Sequence, residues 1–222
     1  MTRPLTVVLL AIGIAAAVTP AYAQVRPPAA PQSHSVDIGG YAMVGRFNLA
    51  ASESFDAILG ETSGTIFGGG ARIGLPLGGL FVDVGAWRFN GEGERVFVSG
   101  GTVYPLDIPV EIKMTPLELS AGWRFRFRQM PKLIPYVAGG FTSMHYQETS
   151  TFASTDEDVD ETFNGYHLSG GAEYKITRWL GAAGEVAWTT VPDSIGEGGV
   201  SAAFDEHDLG GTTLRFKITI GR

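Results

Sequence analysis

From Leu117 to Arg128 apolar and polar positions alternate without a break. Leu117, Leu119, Ala121, Trp123, Phe125 and Phe127 are separated by Glu118, Ser120, Gly122, Arg124, Arg126 and Arg128. A period of two describes a β-strand with one oily face and one charged face. The charged row is too dense for a dry core, and the aromatic row is too long to face water. A strand with lipid on one side and a polar barrel interior on the other satisfies both. The alternation recurs downstream. Tyr166, Leu168, Ala172 and Tyr174 oppose His167, Ser169, Gly171, Glu173 and Lys175, and Leu214, Phe216, Ile218 and Ile220 oppose Thr213, Arg215, Lys217 and Thr219.

Eight segments carry such strands, at 35–49, 64–76, 79–90, 108–128, 134–147, 163–176, 179–190 and 209–221. The predicted fold is all-β: an eight-stranded antiparallel up-and-down transmembrane β-barrel. Short connections at 76–79, 129–133 and 177–178 alternate strictly with long ones at about 50–63, 91–107, 148–162 and 191–208. Short periplasmic turns and long extracellular loops follow this rhythm. The long loops are acidic (Asp156, Glu157, Asp158, Asp160 and Glu161 in one, Asp193, Glu197, Asp205, Glu206 and Asp208 in another), whereas Arg128, Lys132, Lys175 and Arg178 lie at the short turns. This asymmetry argues for a single orientation.

Ser99-Gly100-Gly101 reads as a hairpin tip, with strands three and four extended beyond the bilayer. An additional strand pair, making ten, is the alternative. Within strand four the apolar positions change parity. Val110, Ile112 and Met114 are even and Leu117 onward is odd, with Pro116 at the change, which predicts a β-bulge there.

Depth assigns the faces. Eight residues on a strand tilted by ~40° cover about 20 Å of membrane normal, close to the ~25 Å band that aromatic girdles bracket. Aromatics at both ends of a row therefore mark the lipid side: Leu117, Leu119, Trp123, Phe125, Phe127, Tyr166, Tyr174, Trp188, Leu214, Phe216 and Ile218. The opposite face supplies a lumen charge network of Asp83, Glu118, Arg124, Arg126, Glu173, Lys175, Glu185, Arg215 and Lys217. An eight-stranded interior is just wide enough for side chains to fill, so these charges are expected to pair. A gated conduction path along them is the alternative, and a soluble lipocalin-type barrel with reversed faces is another.

Composition narrows the setting. The chain has 222 residues, 31 glycines, no cysteine and a formal charge of −7, which suits one β domain. Residues 1–23 read as a signal peptide. Arg3 precedes an apolar run from Leu5 to Val18, and Ala21-Tyr22-Ala23 forms a small-x-small site for cleavage after Ala23. The run is shorter than a spanning helix needs, an uncleaved anchor helix being the alternative. Residues 24–34, with Pro27, Pro28 and Pro31, form a periplasmic lead-in, and 35–222 form the barrel. Losing Arg3 takes the charge from −7 to −8, which argues against nucleic acid as a partner. Without disulfides, stability must come from a closed architecture.

Candidate chemistry is sparse. His167 and Ser169 share a face, and Glu173 and Glu185 are expected near them, the residue types of a nucleophile, base and orienter. The acidic loop 156–161 offers oxygen ligands but lacks the glycine and spacing of an EF-hand loop. Glu206-His207 is too little for a transition metal. No phosphate-loop, dinucleotide or Cys/His zinc pattern occurs, so no cofactor and no metal are expected.

Several stretches carry a family likeness: Thr115-Pro116-Leu117-Glu118-Leu119 through Phe125, and Pro135-Tyr136-Val137-Ala138-Gly139-Gly140. Arg178-Trp179-Leu180 through Glu185, Val191-Pro192-Asp193 and Asp208-Leu209-Gly210-Gly211 add to it. With them the mature region resembles small outer-membrane β-barrel proteins of the outer-membrane-protein-A-like, eight-stranded class. The resemblance implies a monomer in the outer membrane of a Gram-negative-type bacterium. It would be surrounded by outer-membrane lipid and lipopolysaccharide and inserted by the barrel-assembly machinery. Such barrels usually end in an aromatic residue, where this chain ends Ile220-Gly221-Arg222; Phe216 or Ile220 would substitute. The implied role is non-enzymatic, structural or surface-interacting, with porin-like passage of small or apolar solutes as the alternative. A lipid A-modifying hydrolase is the second alternative. His167-x-Ser169 is similar to the motif of lipid A 3-O-deacylases, although Gly170 stands where that family has Asn.

Overall fold

The computed structural model describes residues 36–150 and 158–221. The expected signal peptide and lead-in lie outside the described residues, as do Asp156 and Glu157 of the acidic loop. Eight strands close into one barrel: β1 (Asp37–Leu49), β2 (Ser63–Gly74), β3 (Leu80–Ser99), β4 (Thr102–Arg124), β5 (Leu133–Ser150), β6 (Val159–Lys175), β7 (Leu180–Thr190) and β8 (Gly211–Gly221). Each strand pairs antiparallel with its neighbour in sequence, and β1 closes on β8 from Gly39 opposite Gly221 to Leu49 opposite Gly211. Closure gives every strand two partners and leaves no edge, which lets a β-structure cross hydrocarbon. No described helix is long and apolar enough to cross a membrane.

The alternation in sequence becomes inside and outside. On β4, Glu118, Ser120 and Arg124 are buried, while Leu117, Leu119 and Trp123 are exposed. Phe125 and Phe127, beyond the strand's end, are exposed too, as are Tyr166, Tyr174, Trp188, Leu214, Phe216 and Ile218. Every residue assigned to the lipid side thus points outward.

The hairpin β3–β4 is the longest element, with 20 and 23 residues against the roughly 9–11 that a membrane crossing takes. Its tip is Gly100-Gly101, with φ of 59° and 80°, the left-handed pair that a tight hairpin turn demands. The 91–107 connection is therefore mostly strand, and the barrel has eight strands rather than ten.

One expectation about this hairpin is overturned. The pairing of β4 with β5 runs unbroken through Pro116, and the one irregularity between β3 and β4 lies between Glu94 and Val96. No bulge occurs at Pro116. Val110, Ile112 and Met114 keep the inward parity of Glu118 and are 3%, 0% and 0% exposed. The change at Pro116 is in what the interior is made of, not in the backbone.

Two helices sit in the long loops: α1 (Ser52–Leu59) between β1 and β2, and α2 (Gly199–Phe204) between β7 and β8. In α1, Phe55, Ile58 and Leu59 recur at helical spacing and pack on the apolar interior cluster. Its first turn is held by Glu206, whose carboxylate accepts from the backbone N–H groups of Glu53 (3.0 Å) and Ser54 (2.8 Å). A carboxylate at a helix N-terminus meets both the free N–H groups and the helix dipole.

Candidate functional site

The interior divides by depth. Toward the short turns it holds eight buried Asp, Glu, Arg and Lys side chains: Arg72, Asp83, Glu118, Arg124, Glu173, Glu185, Arg215 and Lys217. They comprise four acids and four bases, so their formal charges cancel. Arg215 is the hub, bonding both carboxylate oxygens of Glu118 (2.7 and 2.6 Å) and reaching Glu185 at 3.3 Å. Lys217 bonds Glu185 at 2.7 Å. Arg124 bonds Glu173 at 2.7 Å, and Arg72 joins Asp83 at 3.1 Å and Glu173 at 3.6 Å.

Aromatic hydroxyls add further donors to two of the carboxylates. Tyr41 donates to Asp83 at 2.7 Å and Tyr136 to Glu185 at 2.9 Å. The Arg72 guanidinium lies 4.5 Å from the centre of the Phe81 ring and 4.9 Å from that of Tyr136. Glycine makes the room. A Cβ on Gly70 or Gly85, which face each other on β2 and β3, would fall 2.5 or 2.6 Å from the Tyr41 hydroxyl.

Seven of the nine residues assigned to this network from the sequence lie inside it. Arg126 does not. It lies past the end of β4 with its side chain 64% exposed, 3.9 Å from Asp37. Alternation continued beyond the last barrel pairing, where inward parity no longer leads into a lumen. Lys175 ends β6 and lines a recess at the short-turn mouth with Arg124 and Glu173. Arg72, Tyr41 and Tyr136 were missed, although each stands at an inward position of an alternating strand.

The expected constellation of His167, Ser169, Glu173 and Glu185 is not assembled. The His167 ring, 2% exposed, bonds the hydroxyls of Ser120 (2.7 Å) and Thr142 (2.8 Å) instead. Both carboxylates are engaged elsewhere, Glu173 with Arg124 and Glu185 with Lys217. Ser120 and His167 border an internal gap of only about 10 Å³, roughly the room of one water. Among the described residues no group of three or more His, Asp or Glu is arranged to hold a metal ion.

Toward the long loops the same inward rows are apolar. Phe47, Ile66, Trp87, Ile112, Met114 and Met144 are 0–2% exposed and form one cluster, which Phe55 of α1 joins from above. Phe47 and Trp87 meet edge to face at 5.1 Å. Trp87 is the seam between the halves, since its indole N–H donates to Glu118 at 2.8 Å. Charged side chains therefore fill the short-turn half of the lumen and apolar ones the other.

Above the apolar half opens a cup of about 720 Å³, walled by α1, the β3–β4 extension, β5, β6 and the α2 loop. Its floor includes Phe55, Val110 and Tyr146, which also belong to the buried cluster. The α2 loop is pinned at its base by Asp208. The Asp208 carboxylate accepts from the backbone N–H of Val191 (2.6 Å) and Gly210 (2.7 Å) and from the Thr190 hydroxyl (2.6 Å).

The model of the outer membrane protein beta-barrel domain family matches residues 7–212. The chain belongs to that family. Two solved structures share its fold. A major outer membrane protein from Thermus thermophilus superposes with a TM-score of 0.56 at 12% identity, over 85% of this chain and 100% of that one. The outer membrane protein OprG from Pseudomonas aeruginosa gives 0.55 at 14%, over 84% and 94%. At such identities the likeness speaks for the fold alone. No curated protein sequence matches the chain significantly. Family and architecture together place this barrel in the outer membrane, with its exposed apolar band in lipid and its long loops outward.

Proposed function

We propose that this outer-membrane barrel is a monomeric, non-enzymatic surface-interaction protein whose working site is the outward cup rather than the lumen. The contrast in free space supports this reading. The cup offers about 720 Å³, whereas the polar centre of the barrel leaves about 10 Å³ and the recess at the other mouth about 50 Å³. A path for solutes needs continuous room, and both halves of the interior are packed. In this reading a signal peptide cleaved after Ala23 exports the chain, and the barrel-assembly machinery inserts it among outer-membrane lipid and lipopolysaccharide. The engagement of His167 with Ser120 and Thr142, deep among filled space, weighs against a lipid A hydrolase. Planar-bilayer recordings of the refolded protein test the proposal. Silence at applied voltage is the expected result, and ohmic single-channel steps would overturn it.

A further inference from the structure

We propose that the cup takes a cationic amphiphile, its apolar body on the floor and its amine against the carboxylates of the wall. This deepens the reading of the cup as the working site and rests on it. The cavity falls within the roughly 300–1,000 Å³ of small-molecule sites. Its apolar lining comes from α1 (Phe55 and Ile58), from Val110 and from Phe163. Four carboxylates line it, those of Glu148, Glu161, Asp193 and Glu197, against one guanidinium, that of Arg95. The acids come from three separate stretches of chain, so the fold gathers them.

Two details distinguish this from a generally acidic surface. The Glu148 carboxylate is held by the hydroxyl of Tyr146, itself 7% exposed, at 3.1 Å. One acceptor is therefore fixed where floor meets wall. Ser54 is 4% exposed and lines the cup, and its hydroxyl has no hydrogen-bond partner in the protein. A buried hydroxyl without a partner is uncommon in a folded protein. It is an unmet polar group beside the cup. An ammonium can donate to the anchored carboxylate, while a carboxylate ligand meets repulsion from four acids. Apolar burial supplies affinity and charge supplies selection.

The test is binding of octylamine, octanol and octanoate to the full mature barrel in phosphatidylcholine nanodiscs, read by calorimetry with empty nanodiscs subtracted. Octylamine should bind more tightly than octanol, and octanoate should not bind. Glu148→Gln with Glu161→Gln should weaken octylamine by about tenfold, the worth of one charged hydrogen bond, and leave octanol unchanged. Heat-modifiable gel migration checks that the variant is folded. Octanol binding as well as octylamine would overturn the cationic preference while leaving the cup a binding site. Binding of none of the three would overturn both the preference and the cup's role.

Discussion

Toward the short turns the inward rows carry eight Asp, Glu, Arg and Lys side chains joined by shared salt bridges. Toward the long loops the same rows, on the same strands, carry Phe47, Ile66, Ile112, Met114 and Met144. Both halves exclude space, but by different physics. The charged half is held by directional bonds, in which each group depends on a particular partner. The apolar half is held by shape and is crowned by a loop helix that adds Phe55 to it. The charged half therefore has little tolerance for losing one member, and the apolar half degrades by degrees.

The largest effect should come from Arg215→Met. It leaves Glu118 and Glu185 without their shared cation and should destabilise the barrel by about 3–5 kcal/mol, read by urea unfolding in phosphatidylcholine vesicles. Adding Glu118→Gln should return part of that loss. A cost for the single change no larger than a core trimming would refute the interlocked view. Trp87→Phe keeps the apolar contact and removes the bond to Glu118, testing the seam between the halves. Its expected cost is about 1.5–3 kcal/mol. Ile112→Val removes one methylene from the apolar half and should cost about 0.5–1.5 kcal/mol by the same assay.

The smallest effect is confined to the outer loops. His207 bonds the Asp205 carboxylate at 3.2 Å and the Ile195 carbonyl at 3.3 Å. The Asp205 bond first, then the carbonyl, raises its pKa above the usual 6.5. A group raised on folding lends stability that is complete below its unfolded pKa and lost as pH climbs through the folded one. Amide exchange in residues 193–207, corrected for intrinsic rates, should therefore be slower at acidic pH than at pH 8. His207→Gln should abolish the difference.

The comparison also explains what could be read from the chain. Where the inward row is polar, as from Glu118 to Arg124, alternation displays strand, face and network together. Where it is apolar, the inward residues look like the outward ones. Val110, Ile112 and Met114 thus suggested a bulge at Pro116, although the strand continues in register. Period two tells which residues share a face, not which solvent that face meets. Arg126 shows the matching error at the strand's end. The loop helices left fainter traces. Phe55, Ile58 and Leu59 have helical spacing within a segment expected to be loop, but no side chain caps α1 locally. Its N-terminus is satisfied by Glu206, more than 150 residues away. The cup is composed of five separate regions, so its lining has no linear signature.

Arg215 and Lys217 both ride on β8, the final strand, while their counterions sit on β4 and β7. The strand that closes the sheet is thus also the one that balances its interior: take β8 away and Glu118 and Glu185 lose the guanidinium they share, and Glu185 its ammonium, along with two rows of backbone hydrogen bonds. Mechanical closure and electrical neutrality arrive together in one segment.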